Sequence, residues 1–209
     1  MIKYILFDMD NTLYSPRFKV EDAVGERMNK FLADFLDIPI DEAVRLRQTH
    51  VPKYGTTMQW LVAEKGFTDI DGMYAAAYPD GEADSLFPDP ELRTFLTQLP
   101  VPYAILTNSP MEHVHRVLDR LAVRDLFSHI FDIRWAGLKG KPSAETFRRV
   151  LETVDAEPET TLFVDDYPLF VEGFLNIGGK GILIDEENRH PQWPHAKIRE
   201  LTELLEFLD

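Results

Sequence analysis

Cysteine is absent from all 209 residues, which removes disulfides, thiolate nucleophiles and thiolate metal sites together. Positive charge is scarce: 22 Lys and Arg stand against 36 Asp and Glu, a formal net charge of −14. A protein that grips nucleic-acid backbones needs a basic surface, so a nucleic-acid polymer is excluded as a general partner. Small anions need only a local cluster of positive groups and are not excluded. No stretch approaches the roughly 18 consecutive apolar residues of a membrane span. The apolar run before Asp8 is too short for a secretory signal, so a cytoplasmic protein with no membrane partner is expected. Repeats and low-complexity segments are lacking too. Apolar residues make up 44% and charged residues 28%, the balance of a globular protein whose acidity solubilises its surface. The length suits one large domain or a domain carrying an insertion.

What the chain does have is concentrated in Tyr4 to Leu13, YILFDMDNTL. Tyr4, Ile5, Leu6 and Phe7 are apolar without alternation, as in a short strand buried on both faces of a parallel sheet. Such sheets carry their chemistry at the carboxyl ends of the strands, where Asp8 and Asp10 emerge. Two like charges that close call for a cation or a shared proton between them.

Apolar spacing places helices over Val24–Leu36, over Ala43, Val44 and Leu46 after a cap at Asp41, from Thr57 to Gly66, and over Ile70–Tyr78. Lys53–Thr57 reads as a loop. No strand is visible between Pro16 and Leu86, so residues 16–87 form an all-helical insertion after the first strand, and 1–15 with 88–209 form the core. After Pro90 opens a helix, strands follow at Tyr103–Leu106, Ile130–Ile133, Thr161–Val164 and Gly181–Ile184. Helices alternate with them, including one capped by Ser143 and a final one over Ile198–Leu208. This pattern predicts a Rossmann-like, doubly wound α/β core with a helical cap subdomain.

Besides Asp8 and Asp10, three further polar groups fall at or just beyond strand ends. Thr107 and Asn108 offer a hydroxyl, an amide and backbone N–H groups suited to phosphate oxygens, or equally to a helix cap. Lys141 brings a charge against a phosphate dianion, with Lys139 as its competitor. Asp165-Asp166 suit a hard cation such as Mg²⁺, alongside Asp8 and a backbone carbonyl near Asp10, or else cap the helix near Pro168.

In order, FDMDNT, ILTNSP, GKP and FVDD resemble the four motifs of the haloacid dehalogenase-like phosphatase superfamily, and the resemblance spans essentially the whole core. It implies a Mg²⁺-dependent phosphoric monoester hydrolase. Carried over by position, Asp8 is the nucleophile and Asp10 the general acid and base. Thr107 and Asn108 hold the phosphoryl group, and Lys141 offsets its charge. Asp8, Asp10 and Asp166 belong to the Mg²⁺ site, with Asp165 helping directly or through water. Asp10 must start protonated, a form that neighbouring anions favour.

The insertion resembles the helical cap of subclass I. Lys53-Tyr54-Gly55-Thr56-Thr57 with Trp60-Leu61, His113, and Phe131-Asp132-Ile133 are similar to pyrimidine 5′-nucleotidase-like members, which implies a nucleoside 5′-monophosphate as substrate. Tyr54 and Trp60 are candidates for stacking on a base. His113 is expected to touch substrate or, as a first-turn helical residue, to face solvent. Two departures stand out: Ser109-Pro110 where relatives have Gly after Asn, and Leu169-Phe170-Val171 where an asparagine often supports the fourth-motif aspartates. The alternatives on the same core are a phosphotransferase such as a sugar-phosphate mutase, and a catalytically silent metal-binding or interaction protein. The partner implied is a small phosphorylated metabolite, and the chain is read as a monomer or homodimer.

Overall fold

The structure is a computed structural model that describes residues 1–208; Asp209, the end of the expected core segment, lies outside the described residues. The chain divides into two compact units: Met1–Phe18 together with the chain from Leu86 onward, and Lys19–Ser85.

The first unit is built on six parallel strands: β1 (Tyr4–Phe7), β2 (Tyr103–Leu106), β3 (Ile130–Phe131), β4 (Thr161–Asp165), β5 (Lys180–Ile184) and β6 (Lys197–Ile198). Their order across the sheet is β3-β2-β1-β4-β5-β6. Every residue of β1 and β4 is buried, which is why these strands carry no polar alternation. Within β1, Tyr4 and Leu6 join a core with Phe147, Val150, Leu151 and Phe174. These come from the helices Ala144–Thr153 and Pro168–Leu175. By alternation Ile5 and Phe7 point to the opposite face, and both are fully buried there. Phe147, Phe163 and Phe174 form an aromatic triangle with ring centroids 5.1 to 5.3 Å apart.

The strand order reverses direction at β1, with β2 on one side and β4 on the other. Open α/β sheets leave a crevice at such a point, outside the carboxyl ends of the strands. Phe7 pairs with Val164. The residues that follow these two, Asp8 and Asp165, are thereby delivered side by side.

The second unit consists of α1 (Val20–Leu36), α2 (Ile40–Tyr54), α3 (Thr57–Lys65) and α4 (Ile70–Ala77). Arg47 ties three segments together: its Nε donates to Thr57 Oγ1 at 2.9 Å, and its Nη1 to Gly25 O and Asn29 Oδ1 at 2.8 Å each. No helix among the described residues is long and apolar enough to cross a membrane.

Several local expectations change. Asp41 lies inside the first turn of α2, pairing with Arg45, while Pro39 takes the cap position. That helix runs on through Pro52 to Tyr54, so Lys53 is helical. Ser143 occupies a cap position without making a side-chain cap bond. The expected final helix begins instead as strand β6, since Ile198 pairs with Ile184, and continues as a 3₁₀ helix over Leu201–Phe207. Two-residue strands such as β6 carry too little periodicity to be read from sequence.

Replacing Arg47 by Met keeps the aliphatic stem but leaves three buried or half-buried acceptors without their donor. The expected loss is about 1–3 kcal/mol, measured by urea denaturation.

Candidate active site

Asp8 N–H donates to Val164 O at 2.9 Å, which continues the β1–β4 ladder one step beyond the strand. The carboxylates of Asp8 and Asp165 are both buried, and two desolvated like charges require compensation. Lys141 supplies it. Its Nζ lies 2.6 Å from Asp8 Oδ1 and 2.6 Å from Asp165 Oδ2, with only 1% of the residue exposed. The rings of Phe163 and Phe170 face the ammonium with centroids 5.5 and 5.0 Å away. Burial alone would pull the Lys141 pKa down, but Asp165 and Asp8 outweigh it and hold the amine raised and charged.

Lys141 is placed by Asn108. Asn108 Nδ2 donates to Lys141 O at 2.9 Å, and Lys141 N–H donates to Asn108 Oδ1 at 2.8 Å. The Asn108 side chain, expected on phosphate, is therefore engaged as a strut for the lysine loop. The strut also explains Gly140, where an added Cβ would sit 1.9 Å from Asn108 Oδ1. Lys139 turns outward to Glu145 and is not a rival to Lys141. Thr107 is buried at the end of β2, its hydroxyl accepting from Ser109 N–H at 3.0 Å.

Asp8, Asp165 and Asp166 each offer an oxygen within 4.8 Å of the others. Burial first, then the neighbouring Asp8 charge, pushes Asp166 up to about 7. Burial likewise raises Asp165 and Asp8, against the pull of Lys141. Three crowded carboxylates with oxygen donors only are the chemistry that a hard divalent ion such as Mg²⁺ accepts. Asp165 already uses Oδ2 on Lys141 and Oδ1 on Tyr167 N–H at 2.8 Å, so Asp8 and Asp166 are better placed to hold such an ion. Asn11 Nδ2 donates to Asp166 Oδ2 at 3.3 Å. The missing downstream amide, replaced here by Leu169-Phe170-Val171, is thus supplied from the first motif instead. Asn11 has a left-handed backbone, φ 55°, which asparagine tolerates; that preference was the available signal for it.

The Asp10 side chain is not part of this carboxylate cluster; the expected contribution at this position to a metal is a backbone carbonyl. Tyr14 Oη donates to its Oδ1 at 2.6 Å and Ser109 Oγ to its Oδ2 at 2.6 Å. His113 Nε2 lies 2.9 Å from Oδ1. Burial would raise the Asp10 pKa, but the His113 charge and the bonds from His113, Ser109 and Tyr14 overcome it and lower the value. The expectation that nearby anions favour neutral Asp10 is therefore corrected in this state: local donors win. His113 is corrected as well. It belongs to the helix Met111–Leu121 and is fully buried against Asp10, rather than facing solvent.

In the helical unit, Trp60 is buried and stacked on His50, with centroids 4.2 Å apart, and its Nε1 donates to Glu64 Oε2 at 3.1 Å. Tyr54 donates to the other Glu64 oxygen. Trp60 presents no open face for base stacking, while Tyr54 is half-buried with Lys53 Nζ 4.9 Å from its ring centroid.

A family model described as haloacid dehalogenase-like hydrolase matches residues 2–169. Phosphate metabolism protein 8 of Saccharomyces cerevisiae is 31% identical over 137 residues, covering 61% of this chain and 42% of the yeast protein, so the match spans less than half of that protein's length. Among solved structures, a HAD phosphatase from Thermococcus onnurineus superposes with a TM-score of 0.68 at 20% identity, covering 99% of this chain and 98% of the other. The HAD-hydrolase YfnB from Bacillus subtilis, in a magnesium-bound form, gives 0.62 at 19%, covering 99% and 98%. L-2-haloacid dehalogenase from Xanthobacter autotrophicus, with chloropropionic acid covalently bound, gives 0.56 at 18%, covering 90% and 80%. At these identities the likenesses establish a shared fold.

Removing the Asn11 amide by Asn11→Ala should weaken Mg²⁺ binding about 10-fold, measured by isothermal titration calorimetry. Stability without metal should fall as pH rises from about 4 to about 7. Across that window the folded Asp166, with its pKa raised from 3.8 to about 7, binds a proton that the unfolded chain has lost. Added Mg²⁺ should raise the melting temperature most above pH 7, where the penalty is complete.

Proposed function

The chain belongs to the haloacid dehalogenase-like hydrolase family, and from that premise we propose that it is a Mg²⁺-dependent phosphomonoesterase acting through an aspartyl-phosphate. The observation that carries the proposal is Lys141 held between Asp8 and Asp165 at the ends of neighbouring strands, with Asp10 beside them on separate partners. Lys141 keeps the Asp8 carboxylate ionised and oriented, and its charge lowers the repulsion that an anion meets on approaching a phosphate. In the first half-reaction an Asp8 oxygen bonds to phosphorus, the ester P–O bond breaks, and the leaving oxygen takes a proton from Asp10. In the second, water attacks phosphorus, gives a proton to Asp10, and the Asp8–phosphorus bond breaks. Thr107 hydroxyl and the backbone around it are offered to the phosphoryl oxygens. A divalent ion held by Asp8 and Asp166 would add charge stabilisation for the same oxygens.

Among phosphate esters the favoured class is a nucleoside 5′-monophosphate, supported by the likeness of the Lys53–Thr57 segment and the Phe131–Ile133 stretch to pyrimidine 5′-nucleotidase-like members. The name of the yeast relative, which places that protein in phosphate metabolism, agrees with the broader class. The same fold also serves haloacid dehalogenases, but expelling a halide requires no proton. An Asp10 buried among three hydrogen-bonding partners favours a reaction that moves one. A phosphotransferase reading would use the same groups and differs only in what accepts the phosphoryl group.

Phosphate release should be measured over a panel of esters with Mg²⁺ present. Turnover with nucleoside 5′-monophosphates preferred is expected, together with a loss of about 10³-fold or more in Asp8→Asn. Folded, Mg²⁺-supplied protein that releases phosphate from none of them contradicts the hydrolase assignment to phosphate esters. Exchange within a bisphosphate without net release identifies the phosphotransferase.

A further inference from the structure

The two reacting aspartates are gripped by chemically different hands. Asp8 is held by an ammonium, which has three donors and no acceptor and so favours only the ionised carboxylate. Asp10 is held by a phenol, a hydroxyl and an imidazole from three separate elements: Tyr14 in the segment after β1, Ser109 in the loop after β2, and His113 in the following helix. Each of these groups can donate or accept. A hydroxyl rotates its hydrogen, and an imidazole offers either role according to its tautomer and protonation. Tyr14 and His113 share Asp10 Oδ1, and Ser109 takes Oδ2. Asp10 and His113 are 6% and 0% exposed, so water is poorly placed to take over a lost partner.

We propose that His113, with Ser109 and Tyr14, is a positioning residue for proton transfer: a reversible cradle that holds the Asp10 carboxyl in one place whether or not it carries a proton. The proposal rests on the phosphomonoesterase reading, in which Asp10 gives one proton to the leaving oxygen and recovers one from water in each turnover. A donor-only partner would tie the group to one of those two states. With amphoteric partners, the hydrogen bonds reverse direction while the heavy atoms stay in place. The serine that departs from the family pattern thereby acquires a use, since glycine at position 109 would leave Asp10 Oδ2 without this hydroxyl. His113 also ceases to be a substrate contact, because its ring is committed to Asp10.

The test compares two substrates of one enzyme. An alkyl phosphate such as a nucleoside 5′-monophosphate expels an alkoxide that must be protonated, whereas p-nitrophenyl phosphate expels a phenolate that leaves without a proton. His113→Ala should lower kcat/KM, which reports only phosphoryl transfer to Asp8 and leaving-group departure, about 100-fold for the alkyl ester and less than about 5-fold for p-nitrophenyl phosphate; kcat, which includes the shared hydrolysis of the aspartyl-phosphate, is not the discriminating quantity. His113→Gln, whose amide reaches the position of Nε2, should recover part of the loss on the alkyl ester. Ser109→Ala, a smaller change, should show the same selective loss and serves if His113→Ala does not fold. Equal losses on both substrates, or no loss on either, overturn the proposal while leaving the wild-type phosphatase reading intact. Wild-type protein that hydrolyses neither substrate removes both.

Discussion

Lys141 places one positive charge 2.6 Å from each of two buried carboxylates, Asp8 and Asp165, at the centre of a parallel sheet. Breaking such an arrangement by removing one partner leaves an uncompensated buried charge, a far larger penalty than the net worth of the contact. Much of the local structure serves to keep the ammonium there. Asn108 clamps the backbone of Lys141 from both sides, Gly140 leaves room for the clamp, and Phe163 and Phe170 close over the charge. The carboxylates in turn are set by strand register, Phe7 against Val164, so the site inherits its precision from the most buried part of the sheet.

A division of labour follows. Asp8 and Asp165 share a fixed cation, Asp166 leans on Asn11, and Asp10 stands apart on three uncharged or switchable partners. Neighbouring carboxylates with different environments are pushed in different directions, Asp166 upward and Asp10 downward. Environments that separate like groups in this way are the usual means of giving them separate roles.

Much of this is legible in the sequence itself. The unbroken apolar runs at Tyr4–Phe7 and Thr161–Val164 specify buried strands, and aspartates at their ends specify where the chemistry sits. The α/β core with a helical insertion follows from the change in periodicity between residues 16 and 87. What escaped were properties that depend on which way a side chain turns. His113 repeats with Val114 and Val117 in a helix whose buried face it joins, but spacing alone does not tell a buried imidazole from an exposed one. Asn108 reads as a phosphate ligand because of its place in the chain, whereas its amide is matched to a backbone 33 residues away. Trp60 and Tyr54 have the chemistry of a base-stacking pair, yet Glu64 and His50 bind both within the helical unit. Strand β6 and the 3₁₀ helix after it are too short or too irregular to leave a periodic trace.

The gathering of Asp8, Asp165 and Asp166 within reach of one divalent ion, with Lys141 between the first two, is the claim on which the chemistry turns. Anomalous diffraction from crystals grown with Mn²⁺ in place of Mg²⁺ tests it most directly. A single peak bounded by oxygens of Asp8 and Asp166, with Lys141 still between Asp8 and Asp165, is the expected result. A peak away from these residues, or Lys141 displaced from Asp8 when the ion binds, would contradict it.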